Sequence, residues 1–157
     1  MKKWLAELLA LTTPVYSELN LRRALAACRM LSCDVSAGYD PNSAGVFEKN
    51  NASIVGNGVT FNKFTGSRGK SGSNDCNAEF VAQVRKICDD ADVAWQTAEL
   101  GKVDVGGGGT IAYICAKYGM NVIDAGVAVL SMHAPYEVIS KADLYETYKG
   151  YCAFLKA

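Results

Sequence analysis

A chain of 157 residues is long enough for one domain, or for one piece of a larger one. Half of its residues are apolar, a fifth are charged, and sixteen basic residues balance sixteen acidic ones to a net charge of +0. The charge balance excludes the basic footprint of a nucleic-acid binder, the apolar fraction excludes intrinsic disorder, and no run of about 18 apolar residues is present to cross a bilayer.

Helical spacing of Trp4, Leu5, Leu8, Leu9 and Leu11 predicts a first helix over 2–11. Lys2-Lys3 ahead of it has the look of a signal peptide, but Glu7 ends the apolar run well short of the about 7–15 residues that a leader needs. Ser17 is placed to cap a second helix with Leu19, Leu21, Leu25 and Ala26 inward, ending near Cys28. Leu25-Ala-Ala-Cys28 has the form of a lipoprotein box, yet Arg22 and Arg23 stand where its apolar core belongs. Residues 30–35 read as a short buried strand that runs into Asp34. Residues 36–52, with Gly38, Asp40-Pro41-Asn42 and Gly45, read as a long loop of the kind built around a ligand.

Residues 59–64 alternate apolar and polar and predict a strand. Residues 65–77 are loop by composition, with Asn74 or Asp75 capping a helix that carries Phe80, Val81, Val84, Ile87 and Cys88 on one face. A strand over 93–97 leads to a glycine-rich loop over 99–109. A short helix over 110–118 stops at Gly119. Residues 122–130 supply one or two buried strands, and Ser140 caps a last helix carrying Leu144, Tyr148, Tyr151 and Leu155. Helices alternating with short apolar strands predict an α/β fold, with a buried, parallel-stranded sheet covered on its faces and no linker between domains. The six cysteines, at 28, 33, 76, 88, 115 and 152, include no C-x-x-C pair and lie in apolar segments. They read as buried or half-buried free thiols of a cytoplasmic protein rather than as disulfides or a zinc ribbon.

Chemistry has three candidate places. Asp34 sits at the end of a strand, where ligands bind in α/β sheets, and equally suits a turn aspartate. His133, the only histidine, closes the apolar run Leu130-Ser-Met-His133-Ala-Pro. Asp104-Val105 precedes Gly106-Gly-Gly-Gly109-Thr110, whose backbone N–H groups and following helix N-terminus suit an anion. That loop is neither G-x-x-x-x-G-K-[ST] nor G-x-G-x-x-G, so nucleotide binding has little support. A second loop, Gly66-Ser-Arg68-Gly-Lys70, offers a guanidinium to a carboxylate.

Several of these segments together resemble the aspartyl aminopeptidase family of zinc aminopeptidases, in its bacterial branch. They are Ser-Cys-Asp34-Val-Ser, Phe64-Thr-Gly-Ser-Arg-Gly-Lys, Ser73-Asn-Asp, Trp95-Gln-Thr-Ala-Glu-Leu-Gly-Lys-Val-Asp104, Gly106-Gly-Gly-Gly-Thr-Ile-Ala and Leu130-Ser-Met-His133-Ala-Pro. The likeness runs from about residue 18 to the end, and the motifs keep the family's order. It implies a three-layer α/β/α sandwich of the zinc exopeptidase type, present here in part. It further implies two zinc ions, with Asp34 ligating one and His133 the other, and a substrate wall formed by Asp104, Gly108, Gly109 and Thr110. Peptides with a free N-terminus are the implied substrates, acidic ones in the best-known branch, and a large homo-oligomer is the implied assembly.

The chain also departs from that family. A second histidine and any Glu-Glu pair are missing from the 157 residues, whereas the family carries an early histidine, a bridging aspartate and paired glutamates upstream. The expectation is therefore a C-terminal portion of a metalloaminopeptidase, with little activity and weak zinc affinity by itself. Two other readings stand beside it. One is a non-catalytic anion- or phosphate-binding module. The other is an assembly fragment that docks through bare sheet edges.

Overall fold

The computed structural model describes residues 1–67 and 71–157. Arg68, Gly69 and Lys70, which carry the basic part of the 66–70 loop, lie outside the described residues. In chain order the elements are α1 (Lys2–Thr12), α2 (Glu18–Ala27), β1 (Arg29–Ser32) and β2 (Ser36–Ala37). After two short 3₁₀ turns at Pro41–Val46 and Lys49–Asn51 come β3 (Val59–Asn62), β4 (Phe64–Ser67), β5 (Ser71–Asp75), α3 (Ala78–Asp90) and β6 (Trp95–Thr97). The chain ends with α4 (Ala112–Ala116), β7 (Asn121–Gly126), β8 (Ala128–Leu130), β9 (Val138–Ile139) and α5 (Lys141–Lys156).

The main sheet has the order β1-β7-β3-β6. Its strands separate two apolar layers by ordinary pleat alternation. Val59, Phe61, Ile123 and Ala125 pack with Phe80, Val84 and Cys88 of α3, and with Tyr151 and Phe154 of α5. Val122 packs on the opposite face with Leu21 and Leu25 of α2 and Ala112 of α4, with Leu5 and Leu9 of α1 against them. Helices therefore cover both faces, the layered arrangement expected from the sequence. Burying a side chain such as Phe80 or Ile123 contributes about 1.5–3 kcal/mol.

The sheet is mixed, not parallel. β1 pairs in parallel with β7, and β3 with β6, but β3 runs antiparallel to β7. The registers give the reason. β1 finishes beside Asp124, and Thr60 at the start of β3 lies opposite Gly126. The excursion after β1 stays at that end of the sheet, so β3 begins there and runs back. The excursion itself is no plain loop, since it holds β2 and the two 3₁₀ turns. Residues 122–130 form two strands that break after Gly126, and β8 joins β2 and β9 in a second sheet.

Further differences follow from side-chain bonds that lie far apart in sequence. The expected 65–77 loop is the β4–β5 hairpin, with Phe64 opposite Asp75 and Thr65 opposite Asn74. The buried Asn74 is tolerated because its Nδ2 donates to Val122 O at 3.0 Å. The hairpin uses up Asn74 and Asp75, so Asn77 caps α3, accepting from Phe80 N at 2.7 Å. Ser17 and Ser140 cap their helices as expected. On α5 the inward side carries Asp143, Thr147 and Gly150, while Leu144, Tyr148 and Leu155 are exposed. Asp143 governs that rotation, because its carboxylate accepts from Gly56 N at 2.7 Å and Gly58 N at 2.9 Å. All six cysteines are free, and Cys33 is exposed, contrary to expectation, on the turn that leaves β1. Burial pushes the Cys76 and Cys88 thiols up to about 11.

Asp143→Ala leaves two backbone donors without an acceptor and is expected to destabilise the chain by about 2–3 kcal/mol in urea unfolding. Asp143→Asn retains one acceptor oxygen and should cost about half as much.

Candidate functional site

At the end of the sheet where β1 and β7 finish, a cavity of about 380 Å³ opens. Its walls come from segments far apart in sequence. Asp34 and Val35 follow β1, Val46 and Phe47 end the first 3₁₀ turn, residues 106–110 supply one side, and Met132, His133 and Glu137 lie between β8 and β9. Asp34 and His133 thus share one cavity with Gly108, Gly109 and Thr110. Asp104 does not line it. This residue sits at φ +67 within the loop that leads to the glycines.

Local bonds fix each donor. Asp34 N donates to Ser32 O at 2.8 Å, and the Asp34 carboxylate accepts from Val35 N at 2.9 Å. His133 is exposed and sits at φ +67, two residues after Ser131 at φ +56. Left-handed backbone at non-glycine residues is sparsely populated and gathers at functional sites. The backbone N–H of His133 donates to Glu137 Oε1 at 2.6 Å, which holds this turn against the start of β9.

The glycines permit the close packing. A Cβ on Gly126 would lie 1.9 Å from Asp34 O, and one on Gly106 would lie 2.6 Å from Val46 O. The glycine-rich wall is tied on by Lys102 N to Val46 O at 2.8 Å and by Gly66 N to Gly108 O at 3.2 Å. The helix expected after it is shorter than predicted, since α4 has only five residues and begins at Ala112, whose N–H donates to Thr110 Oγ1 at 3.3 Å. One turn of helix supplies little dipole, so helix-borne anion binding loses its basis.

One residue of this site escaped the sequence reading. Asp124 of β7 is fully buried, and its Oδ2 accepts from Thr110 Oγ1 at 2.7 Å, with Thr65 Oγ1 3.4 Å from the same hydroxyl. Its strand neighbours in register are Ser32 and Asn62. Asp124 Oδ1, Ser32 Oγ and Asn62 Nδ2 are buried without a hydrogen-bond partner. Burial raises the Asp124 pKa, the Thr110 hydroxyl and, more weakly, the neighbouring Ser32 and Thr65 hydroxyls oppose the rise, and the negative charge of Asp34 adds to it. The available signal was a carboxylate inside the apolar run Val122-Ile-Asp124-Ala.

Asp34 and His133 present an oxygen and a nitrogen donor, the ligand types that zinc takes. Among the described residues, however, no group of three or more His, Cys, Asp or Glu side chains is arranged to hold a metal. A catalytic zinc takes about three protein ligands, so these residues alone do not fit a complete site.

Residues 6–155 match the family described as "Aminopeptidase I zinc metalloprotease (M18)". "Probable M18 family aminopeptidase 1" of Clostridium acetobutylicum is 64% identical over 140 residues, which is 89% of this chain and 30% of that protein. The crystal structure of an M18 aminopeptidase from Thermotoga maritima superposes with a TM-score of 0.91 at 46% identity, covering 98% of this chain and 34% of its own. An S. cerevisiae aminopeptidase solved as a dodecamer superposes with a TM-score of 0.68 at 23% identity, over 92% of this chain and 30% of its own, a likeness of fold alone. The chain spans about a third of the length of the relatives it matches.

Two measurements probe the geometry. A raised carboxyl pKa means that the folded state binds the proton more tightly than the unfolded one. The contribution of Asp124 is therefore favourable below its ordinary 3.8 and is lost as pH rises through the raised value. Asp124→Asn removes that titration, so wild-type stability minus variant stability should fall as pH rises from about 4, and a difference level with pH contradicts the assignment. Gly126→Ala should cost about 1–3 kcal/mol in urea unfolding and move the amide resonances of Asp34 and Val35.

Proposed function

The chain belongs to the M18 family of aminopeptidase I zinc metalloproteases, and on that premise we propose that it is the C-terminal, cavity-forming portion of a zinc-dependent aminopeptidase. What supports the reading is the convergence of Asp34, His133 and the glycine-rich wall on one cavity, although they come from three distant segments. By the family resemblance, Asp34 would hold one zinc ion and His133 the other. Zinc held there would supply Lewis-acid polarisation of a carbonyl and activation of a water near neutral pH.

The residues of this chain have simpler tasks. Val35 N holds the Asp34 carboxylate in place. The turn closed by Glu137 aims His133. Gly108, Gly109 and Thr110 present a wall to a peptide with a free N-terminus, while Asp104, outside the cavity, keeps no direct substrate contact in this proposal. The general base and the other ligands come from outside these 157 residues, which hold one histidine and no Glu-Glu pair. A homo-oligomer in the cytoplasm belongs to the same proposal. The dodecamer of the yeast neighbour supports the assembly at the level of fold. Among the described residues no helix is long and apolar enough to cross a membrane.

Purified alone with zinc or cobalt, the chain should release no residue from acidic or neutral aminoacyl substrates. Co-expressed with the other two thirds of the Clostridium relative, it should restore hydrolysis, and Asp34→Ala or His133→Ala should abolish that gain. Robust turnover by the chain alone, or restored activity indifferent to both substitutions, contradicts the reading.

A further inference from the structure

Strand β7 carries a carboxylate where its pleat calls for an aliphatic side chain. Val122, two residues earlier on the same face, packs with Leu21, Leu25 and Ala112. Asp124 instead lies between Ser32 of β1 and Asn62 of β3, so a polar row crosses three strands. Each of the three has one buried atom without a hydrogen-bond partner. Such a row is costly to bury compared with an apolar one. Its connection to the cavity is the hydrogen bond from Thr110 Oγ1 to Asp124 Oδ2 at 2.7 Å.

Thr110 directly follows four glycines, and residues 106–109 have no side chains with which to anchor themselves. The wall therefore depends on backbone ties and on the residue that ends it. Thr110 lines the cavity through the same short segment whose hydroxyl is held from beneath. A hydrogen bond to a carboxylate is about twice as strong as one between neutral groups.

We propose that Asp124 is a positioning residue that, through Thr110, fixes the glycine-rich wall against which a substrate packs. It touches no substrate itself. This rests on the cavity being the substrate site, and it explains why a carboxylate and its half-satisfied neighbours occupy the interior of the sheet.

The first test uses the 157-residue chain and needs no activity. Hydrogen exchange is read at the Gly66 amide, which bonds Gly108 O on the wall, with the amides of α5 as the measure of global opening. Thr110→Val and Asp124→Leu, each of which removes the bond outright, should each speed Gly66 exchange about tenfold relative to α5. The double variant should be no faster than Thr110→Val, and Thr110→Ser should match wild type. Gly66 and α5 amides accelerating together, or effects that add in the double variant, overturn the pairing. The second test uses the co-expressed enzyme. Both substitutions should raise KM about tenfold with kcat within about twofold, whereas a merely structural loss lowers the active fraction, and so kcat, with KM unchanged. A wild-type pair that hydrolyses nothing defeats the functional reading, and the exchange cycle still decides whether Asp124 holds the wall.

Discussion

Asp34 reaches the cavity because residue 126 has no side chain. Its carbonyl passes so close to the end of β7 that a Cβ there would lie 1.9 Å away. Gly126 and Asp124 stand two residues apart, on the same face of the strand. The last two positions of β7 on that face therefore support two segments that line the cavity. One yields space for the turn that carries Asp34, and the other bonds the threonine that ends the glycine-rich wall. β8 then departs into a second sheet and delivers the His133 turn to the same cavity.

This arrangement separates scaffold from chemistry. Apolar layers on both faces of the main sheet supply the folding energy. Asp34, Thr110 and Glu137 gather at the end where three segments meet, and the left-handed turns at Ser131 and His133 belong to one of those segments. A metallopeptidase site has this economy: ligands project from strand ends that a rigid sheet holds still, and loops shape the specificity. Within these residues the donor set stops short of a full metal site. On the proposed reading, the chain contributes one wall and two ligands to a centre that other residues complete.

The helices were legible wherever periodicity and a cap agreed, as with Ser17 before α2 and Ser140 before α5. The family and the joint placement of Asp34 and His133 were legible from spaced motifs, and the fold brings those two residues to one cavity. What was hidden depended on partners distant in sequence. The β4–β5 hairpin lacks an apolar alternation, and its Asn74 is satisfied only by Val122 O. The inward turn of α5 follows Asp143, whose amide partners Gly56 and Gly58 precede it by 87 and 85 residues. The reversed direction of β3 depends on which end of the sheet the chain occupies after β1, which composition does not encode. Asp104 ends a motif whose Leu100 and Gly101 line the cavity, while Asp104 itself does not.

Anomalous X-ray diffraction at the zinc edge, on crystals of the chain assembled with the rest of a family member, addresses the central claim most directly. Two zinc peaks are expected in the cavity, one about 2.0–2.2 Å from an Asp34 carboxylate oxygen and the other about 2.0–2.1 Å from a His133 ring nitrogen. Zinc bound elsewhere, with both side chains turned to solvent, would contradict the account.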